Sequence, residues 1–279
     1  MVADYKKGIT PNPDILCNEK IKFGAFMQWA LKEGADIVAT GHYAQVGERD
    51  GRAVLTRGAD AGKDQSYFLY RISSEDLAHV IFPIGGMHKA DVRIRARAFG
   101  LPISEKPDSQ GLCFVGDVSM HDFLCRFISV EAGDVFDTKG ILVGRHDGAA
   151  LYTVGQRHGF TIGYGNQKSE DVPRTSQYIT AIDTVRNTLT VSADRNDAAR
   201  KETYLRDMHW ITTAPKFPLR AQVQARYHET PIAAVISQTE KGIVCSFDAL
   251  HIASPGQSLV IYDGDACLGG GVIDVFSGR

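Results

Sequence analysis

Apolar positions near the start of the chain fall at helical spacing or in short unbroken runs, whereas beyond about residue 133 they alternate with polar ones. Asn18 is placed to cap a helix through EKIKFGAFMQWALKE, in which Ile21, Ala25 and Trp29 share one stripe and Gly34 supplies the stop. ADIVAT, residues 35 to 40, has the unbroken apolar character of a buried parallel strand and runs directly into Gly41, His42 and Tyr43. Helices are predicted over 73 to 81, opened by Ser73 with Asp76 three residues later, and over 88 to 99, stopped by Gly100. The loop LPISEKPDSQGLC leads to a third, from Asp117 to Ile128, with Phe123, Leu124 and Phe127 apolar. The period then changes to two. YITAID and TLTVSA read as strands, the polar segment 192 to 207 separates two β modules, and RAQVQARYH, IAAVISQ, GIVCSF and SLVIYDGDACLGGGVI follow closely enough, with a turn at Asp263 and Gly264, for a small barrel.

Composition changes this picture little. A formal net charge of -2 over 279 residues gives no whole-chain field for an anionic polymer, so any nucleic-acid contact must come from local basic patches such as Lys89, Arg93 and Arg97, four apart on one helix face. No stretch approaches the roughly 20 apolar residues of a membrane span, and MVADYKKGITPNPD lacks the apolar core of a signal peptide, so no membrane association and a cytoplasmic location are expected. Five cysteines without CxxC spacing or a Cys/His cluster suggest neither a disulfide framework nor a metal site.

Two of those cysteines are candidates for chemistry. Cys17 precedes the expected cap Asn18, where a helix dipole favours the thiolate; a half-buried structural cysteine is the alternative. Just upstream, Pro11 and Pro13 stiffen the backbone around Asn12 and Asp14, which either present an amide and a carboxylate to a ligand or form a capped turn. Cys113 ends a loop rich in Pro, Asp, Ser and Gly. Cys125, Cys245 and Cys267 lie in apolar settings and are expected to be buried.

Seven segments occur together in order: TPNPDILCN (10 to 18), ATGHYA (39 to 44), KDQSYFLY (63 to 70), DSQGLCFVG (108 to 116), YTVGQRHG (152 to 159), PGQSLVIY (255 to 262) and CLGGGVI (267 to 273). In this combination the chain resembles the tRNA-specific 2-thiouridylases, or tRNA-uridine 2-sulfurtransferases, over essentially its whole length. The resemblance implies an α/β remnant of a PP-loop (adenine nucleotide alpha hydrolase-like) domain at 1 to 78, a mixed α+β central domain at 79 to 202 and a tRNA-contacting C-terminal β-barrel at 203 to 279. It implies ATP-dependent replacement of the C2 oxygen of a wobble uridine by sulfur. Cys113 would carry a persulfide received from a sulfur-relay protein, and Cys17 would resolve it by exchange. By the same carry-over Asn12, Pro13 and Asp14 would contact the target base, with Asp14 handling a proton. His42, Lys63, Asp64, Gln65, Arg226, Tyr227 and Gln257 would contact tRNA, and Gly41 would lie against the adenine nucleotide.

The family's phosphate-binding SGGxDS loop does not occur in these 279 residues, and CLGGGVI, set between probable strands, is no substitute. Three readings remain open: a piece of a functional sulfurtransferase, a non-catalytic tRNA-binding module, and one half of a split enzyme completed in trans by a chain bearing that loop. A thiol-dependent hydrolase pairing Cys17 with His42 would leave the other motifs unexplained.

Overall fold

Proline at position 13, behind an asparagine, starts the first long helix earlier than the apolar spacing predicts. In the computed structural model, which describes residues 1–102, 104–105, 118–163 and 175–275, a short α1 (Val2–Tyr5) precedes α2 (Pro13–Cys17). Asn12 is extended, and its side-chain oxygen accepts from the N–H groups of Asp14 and Ile15 at 3.1 and 3.3 Å. Proline at the first helical position needs no N–H partner and has its φ already set. The cap is therefore Asn12, not Asn18. Asn18 lies inside a continuous helix that passes through a π-wound segment, Asn18–Phe26, into α3 (Met27–Lys32). Asn18 is buried, donating Nδ2–H to the carbonyl of Phe68 at 3.1 Å. Ile15 already faces inward from α2; the wider winding turns Phe23 and Met27 inward and leaves Ile21 and Trp29 of the expected stripe 59% and 58% exposed. Gly34, at φ +96°, ends the helix as expected.

β1 (Val38–Ala39) pairs in parallel with β4 (Val80–Ile81). α4 (Ser74–Leu77) is capped by Ser73, whose hydroxyl accepts from the N–H of Asp76, but it stops short of 81 because the β-branched pair Val80 and Ile81 joins β1. α5 (Lys89–Ala98) lies within the predicted helix and buries no residue. α6 (Met120–Cys125) starts at the cap Ser119; Leu124 is buried but Cys125, expected inside, is exposed, because it falls one position past the face that Leu124 turns inward.

The central module is a five-stranded sheet built from β5 (Gly133–Asp137), β6 (Leu142–His146), β7 (Phe160–Ile162), β8 (Tyr178–Asp183) and β9 (Thr188–Ser192) in the order β7-β6-β5-β9-β8. The last six strands are β10 (Arg200–Trp210), β11 (Leu219–Gln224), β12 (Ile232–Thr239), β13 (Gly242–His251), β14 (Ser258–Asp263) and β15 (Ala266–Ile273). Strand β10 pairs with β13 through its first half and with β15 through its second, closing these six into the expected barrel.

A hairpin that the apolar pattern did not reveal joins this barrel to the first part of the chain. β2 (Ala44–Arg49) and β3 (Arg52–Arg57) meet at Asp50 and Gly51, both at positive φ, and β3 pairs with β15 through Thr56 and Leu55. Residues of the first 78 therefore share their packing with the barrel. One core joins Ile15, Phe23, Leu55 and Tyr70 to Val260, Tyr262 and Cys267 of the barrel. Among the described residues no helix is long and apolar enough to cross a membrane.

Candidate functional site

The TPNPD segment reaches its helix already clasped by the other modules. The N–H of Thr10 donates to the carbonyl of Pro255 at 3.1 Å, and Gln257 Nε2 donates to the carbonyl of Thr10 at 2.7 Å. Gly256 between them, at φ +87°, lies so close that a Cβ there would fall 2.9 Å from the Thr10 nitrogen. The Thr10 hydroxyl shares a 2.9 Å hydrogen bond with that of Thr153, in the YTVGQRHG segment. That segment is fixed in turn by Arg226, whose Nη2 donates to the Val154 carbonyl at 2.7 Å and to Ser254 Oγ at 3.0 Å. Three motifs distant in sequence thus meet at the start of α2.

Along α2, Asp14 and Cys17 are three residues apart and share a face. Both are half-buried; burial raises the pKa of Asp14, against the opposing pull of Lys22. Lys22 Nζ also lies 3.5 Å from Nε2 of His42, whose Nδ1 is 2.8 Å from Thr40 Oγ1. An ammonium group only donates, so Nε2 holds the lone pair and Nδ1–H donates to Thr40. Burial against Phe23 and Phe82, reinforced by Lys22, pushes His42 down to about 4, leaving it neutral at pH 7. Lys22 links Asp14 to His42, yet nothing in the sequence pattern singles it out. Its position two turns beyond Asp14 becomes informative only once the helix is known to begin at Pro13.

The KDQ segment packs beside His42. Gln65 accepts from the Tyr43 N–H at 3.0 Å through Oε1 and donates its own N–H to the Tyr43 carbonyl at 2.8 Å. Asp64 is turned inward: it accepts from Arg57 Nη1, from the N–H groups of Gly58 and Ser66 and from the Ser66 hydroxyl at 2.9 to 3.0 Å. Its side chain is only 8% exposed. The backbone N–H of Lys63 closes the same turn on the Asp60 carbonyl. Tyr227 packs against Phe68 with the rings tilted by 49° and their centroids 4.4 Å apart. Gly41 follows β1, exposed, with Ile84 Cδ1 at 4.0 Å the nearest atom to the position a Cβ would take.

Asn12, Pro13, Asp14 and Cys17 thus share one helix start, His42 reaches it through Lys22, and Arg226 and Gln257 hold it from the barrel. Cys113 lies outside the described residues. Cys245 and Cys267 are buried as expected, and burial pushes both thiols up to about 12.

Three family models match consecutive stretches of the chain: a tRNA methyl transferase HUP domain over residues 1–117, a tRNA methyl transferase PRC-barrel domain over 121–193 and an aminomethyltransferase β-barrel domain over 200–273. That order, a HUP domain followed by two barrel domains, defines the class. Among the curated relatives, the tRNA-specific 2-thiouridylase MnmA of Pseudomonas aeruginosa is 41% identical, aligned with 100% of this chain and 76% of its own length. Those of Pasteurella multocida and Aliarcobacter butzleri are 43% and 42% identical, covering 98% and 97% of this chain and 72% and 76% of their own lengths. The chain belongs to the tRNA-specific 2-thiouridylase family, whose members are transferases.

Proposed function

We propose that this chain carries the sulfur-transfer chemistry of wobble-uridine 2-thiolation, with Cys113 as the persulfide carrier and Cys17 as its resolving partner. The observation that carries the reading is the clasped helix start: Asp14 and Cys17 share a face of α2 at the point where barrel residues Gln257 and Arg226 converge. A uridine brought there meets Asn12, Pro13 and Asp14 while the surrounding tRNA lies within reach of His42, Lys63, Gln65 and Tyr227. Asp64, turned inward, shapes the loop that presents Lys63 and Gln65.

Gly41 suits the approach of an adenine ring, since it is exposed and its side-chain face meets only Ile84 Cδ1, at 4.0 Å. The phosphates would be held by an SGGxDS segment that is not among these residues. ATP, when bound, supplies the group that makes the C2 oxygen a leaving group. Asp14, its carboxyl raised in pKa by burial, exchanges the proton that moves as the uracil ring loses that oxygen. The terminal sulfur of the Cys113 persulfide is delivered to C2 in one of two ways. Either Cys17 attacks Cys113 Sγ and expels hydrosulfide, or the persulfide adds to C2 and Cys17 cleaves the resulting sulfur–sulfur bond. Both routes leave a Cys17–Cys113 disulfide, which an external thiol must reduce before a sulfur-relay protein reloads Cys113. With tRNA as substrate, the compartment is the cytoplasm.

Expression in cells lacking their own 2-thiouridylase, together with any segment needed for ATP binding, tests this. Cys17→Ser and Cys113→Ser are each expected to abolish the 2-thiouridine peak in nucleoside mass spectrometry of tRNA. Undiminished 2-thiouridine in both variants rejects the reading.

A further inference from the structure

The YTVGQRHG segment, residues 152 to 159, has a fixed backbone and two exposed, unengaged nitrogen-bearing side chains. Val154 O receives Arg226 and Ser254, the N–H of Gly155 donates to Ile179 O at 2.7 Å, and the Tyr152 hydroxyl donates to Gly159 O. Inside the turn, Gln156 Oε1 accepts from the Thr153 N–H and its Nε2 donates to His158 O. Gly155, at φ +83°, leaves no room for a side chain, since a Cβ would fall 2.8 Å from Arg226 Nη2. From this rigid turn Arg157 and His158 project as exposed side chains that make no hydrogen bond or ion pair among the described residues.

They border a cavity of about 630 Å³ shared with His121 of α6 and with Arg226 and Gln257 of the barrel, floored by Leu124 and Leu151. No described carboxylate lines it. Other cavities are lined by acids: Asp4, Glu19 and Asp207 in one, Asp64, Glu229 and Asp265 in another, Glu131 in a third. Two acids on the adjoining elements already have partners, one of them His121 itself. Asp122 lies 3.3 Å from His121 Nδ1, and Glu229 accepts from the Ala225 N–H and sits 3.3 Å from His251. A concave site in which Arg157 and His158 have no described carboxylate partner, over an apolar floor, fits a phosphodiester with its ribose.

We propose that this cavity is a backbone-binding subsite for tRNA, in which Arg157 and His158 contact a phosphate and Arg226 acts as a positioning residue for the turn that carries them. RNA is favoured over an acidic protein because the cavity opens beside Thr10 and Gln257, at the clasp that holds the proposed base site. The inference rests on the tRNA reading above and extends it to the central module.

The test is binding of the full chain to whole tRNA over a salt series. In Arg157→Gln/His158→Gln the affinity at low salt is expected to fall about tenfold. The slope of log Kd against log salt should shrink by about 1, at about 0.9 for the one phosphate left without its cation. Arg186→Gln, an exposed arginine between β8 and β9, should leave both unchanged. Both substituted side chains are exposed, so matching thermal melts establish that the variants fold. If wild-type chain binds no tRNA, the tRNA reading falls and the subsite with it. If wild type binds and the double variant binds with the same slope, only the subsite is overturned. Unchanged tRNA binding with lost sulfur uptake from a persulfide-bearing relay protein would reassign the cavity to a protein partner.

Discussion

At neutral pH the imidazole of His42 is uncharged, packed between Phe23 and Phe82 with the Lys22 ammonium against its remaining lone pair. Its pKa lies near 4 in the folded chain, against about 6.5 in an unfolded one, so between those values the unfolded state binds the extra proton. The stability tied to neutral His42 is fully present above about pH 6.5 and is lost as pH falls through about 4. The loss reaches about 3 kcal/mol at its largest, because each pH unit between the two values is worth about 1.4 kcal/mol. Urea midpoints measured from pH 7 down to 4 should fall more steeply for wild type than for His42→Gln, since titration of Asp14 and other groups is common to both. Parallel curves would mean that His42 is solvated. The residue scale also shows what a motif leaves unsaid: KDQ was legible as a segment, but that Asp64 turns inward while Gln65 ties down Tyr43 depends on Arg57 and Gly58, which carry no marker in the sequence.

For the first long helix, the informative residue is Asn12. Its side-chain Oδ1 caps two N–H groups and, in the proposed reading, its Nδ2 meets the target base, so one side chain would serve two purposes. Substitution separates them. Asn12→Ala should lower stability by about 1 kcal/mol and abolish thiolation, whereas Asn12→Asp keeps the cap and should melt within about 0.5 kcal/mol of wild type yet still fail to thiolate. Thermal melts together with 2-thiouridine measurement check this, and an active Asn12→Asp would remove the amide from base recognition. The residues are all visible in TPNPDILCN. The apolar spacing points to a cap at Asn18 because Ile21, Ala25 and Trp29 fit a regular period of 3.6, whereas a π-wound stretch rotates later side chains away from that period. Ser73 and Gly34, by contrast, act locally and are readable.

Whole-molecule organisation is where the sequence pattern is least informative. The hairpin β2–β3 is a local object with an Asp-Gly turn, but its partner, β15, lies over 200 residues away, and no alternation of apolar residues encodes a contact at that range. The consequence is thermodynamic. Leu55 is fully buried in a core shared by α2, the π-wound segment and the barrel, so the HUP-type part and the barrel should not melt separately. The chain's two tryptophans report on the two sides, Trp29 on α3 and Trp210 at the end of β10. In Trp210→Phe and Trp29→Phe backgrounds, fluorescence transitions in urea are expected to coincide. Leu55→Ala, which deletes buried methyl groups on the shared side, should shift both by the same about 2 to 5 kcal/mol. A transition in which Trp29 moves while Trp210 stays in place would show that β3 rests on the barrel without joining it. The clasp of Gln257 on Thr10 would then be what aligns Asp14 with the barrel, and Gln257→Ala should in that case loosen the site without changing either midpoint.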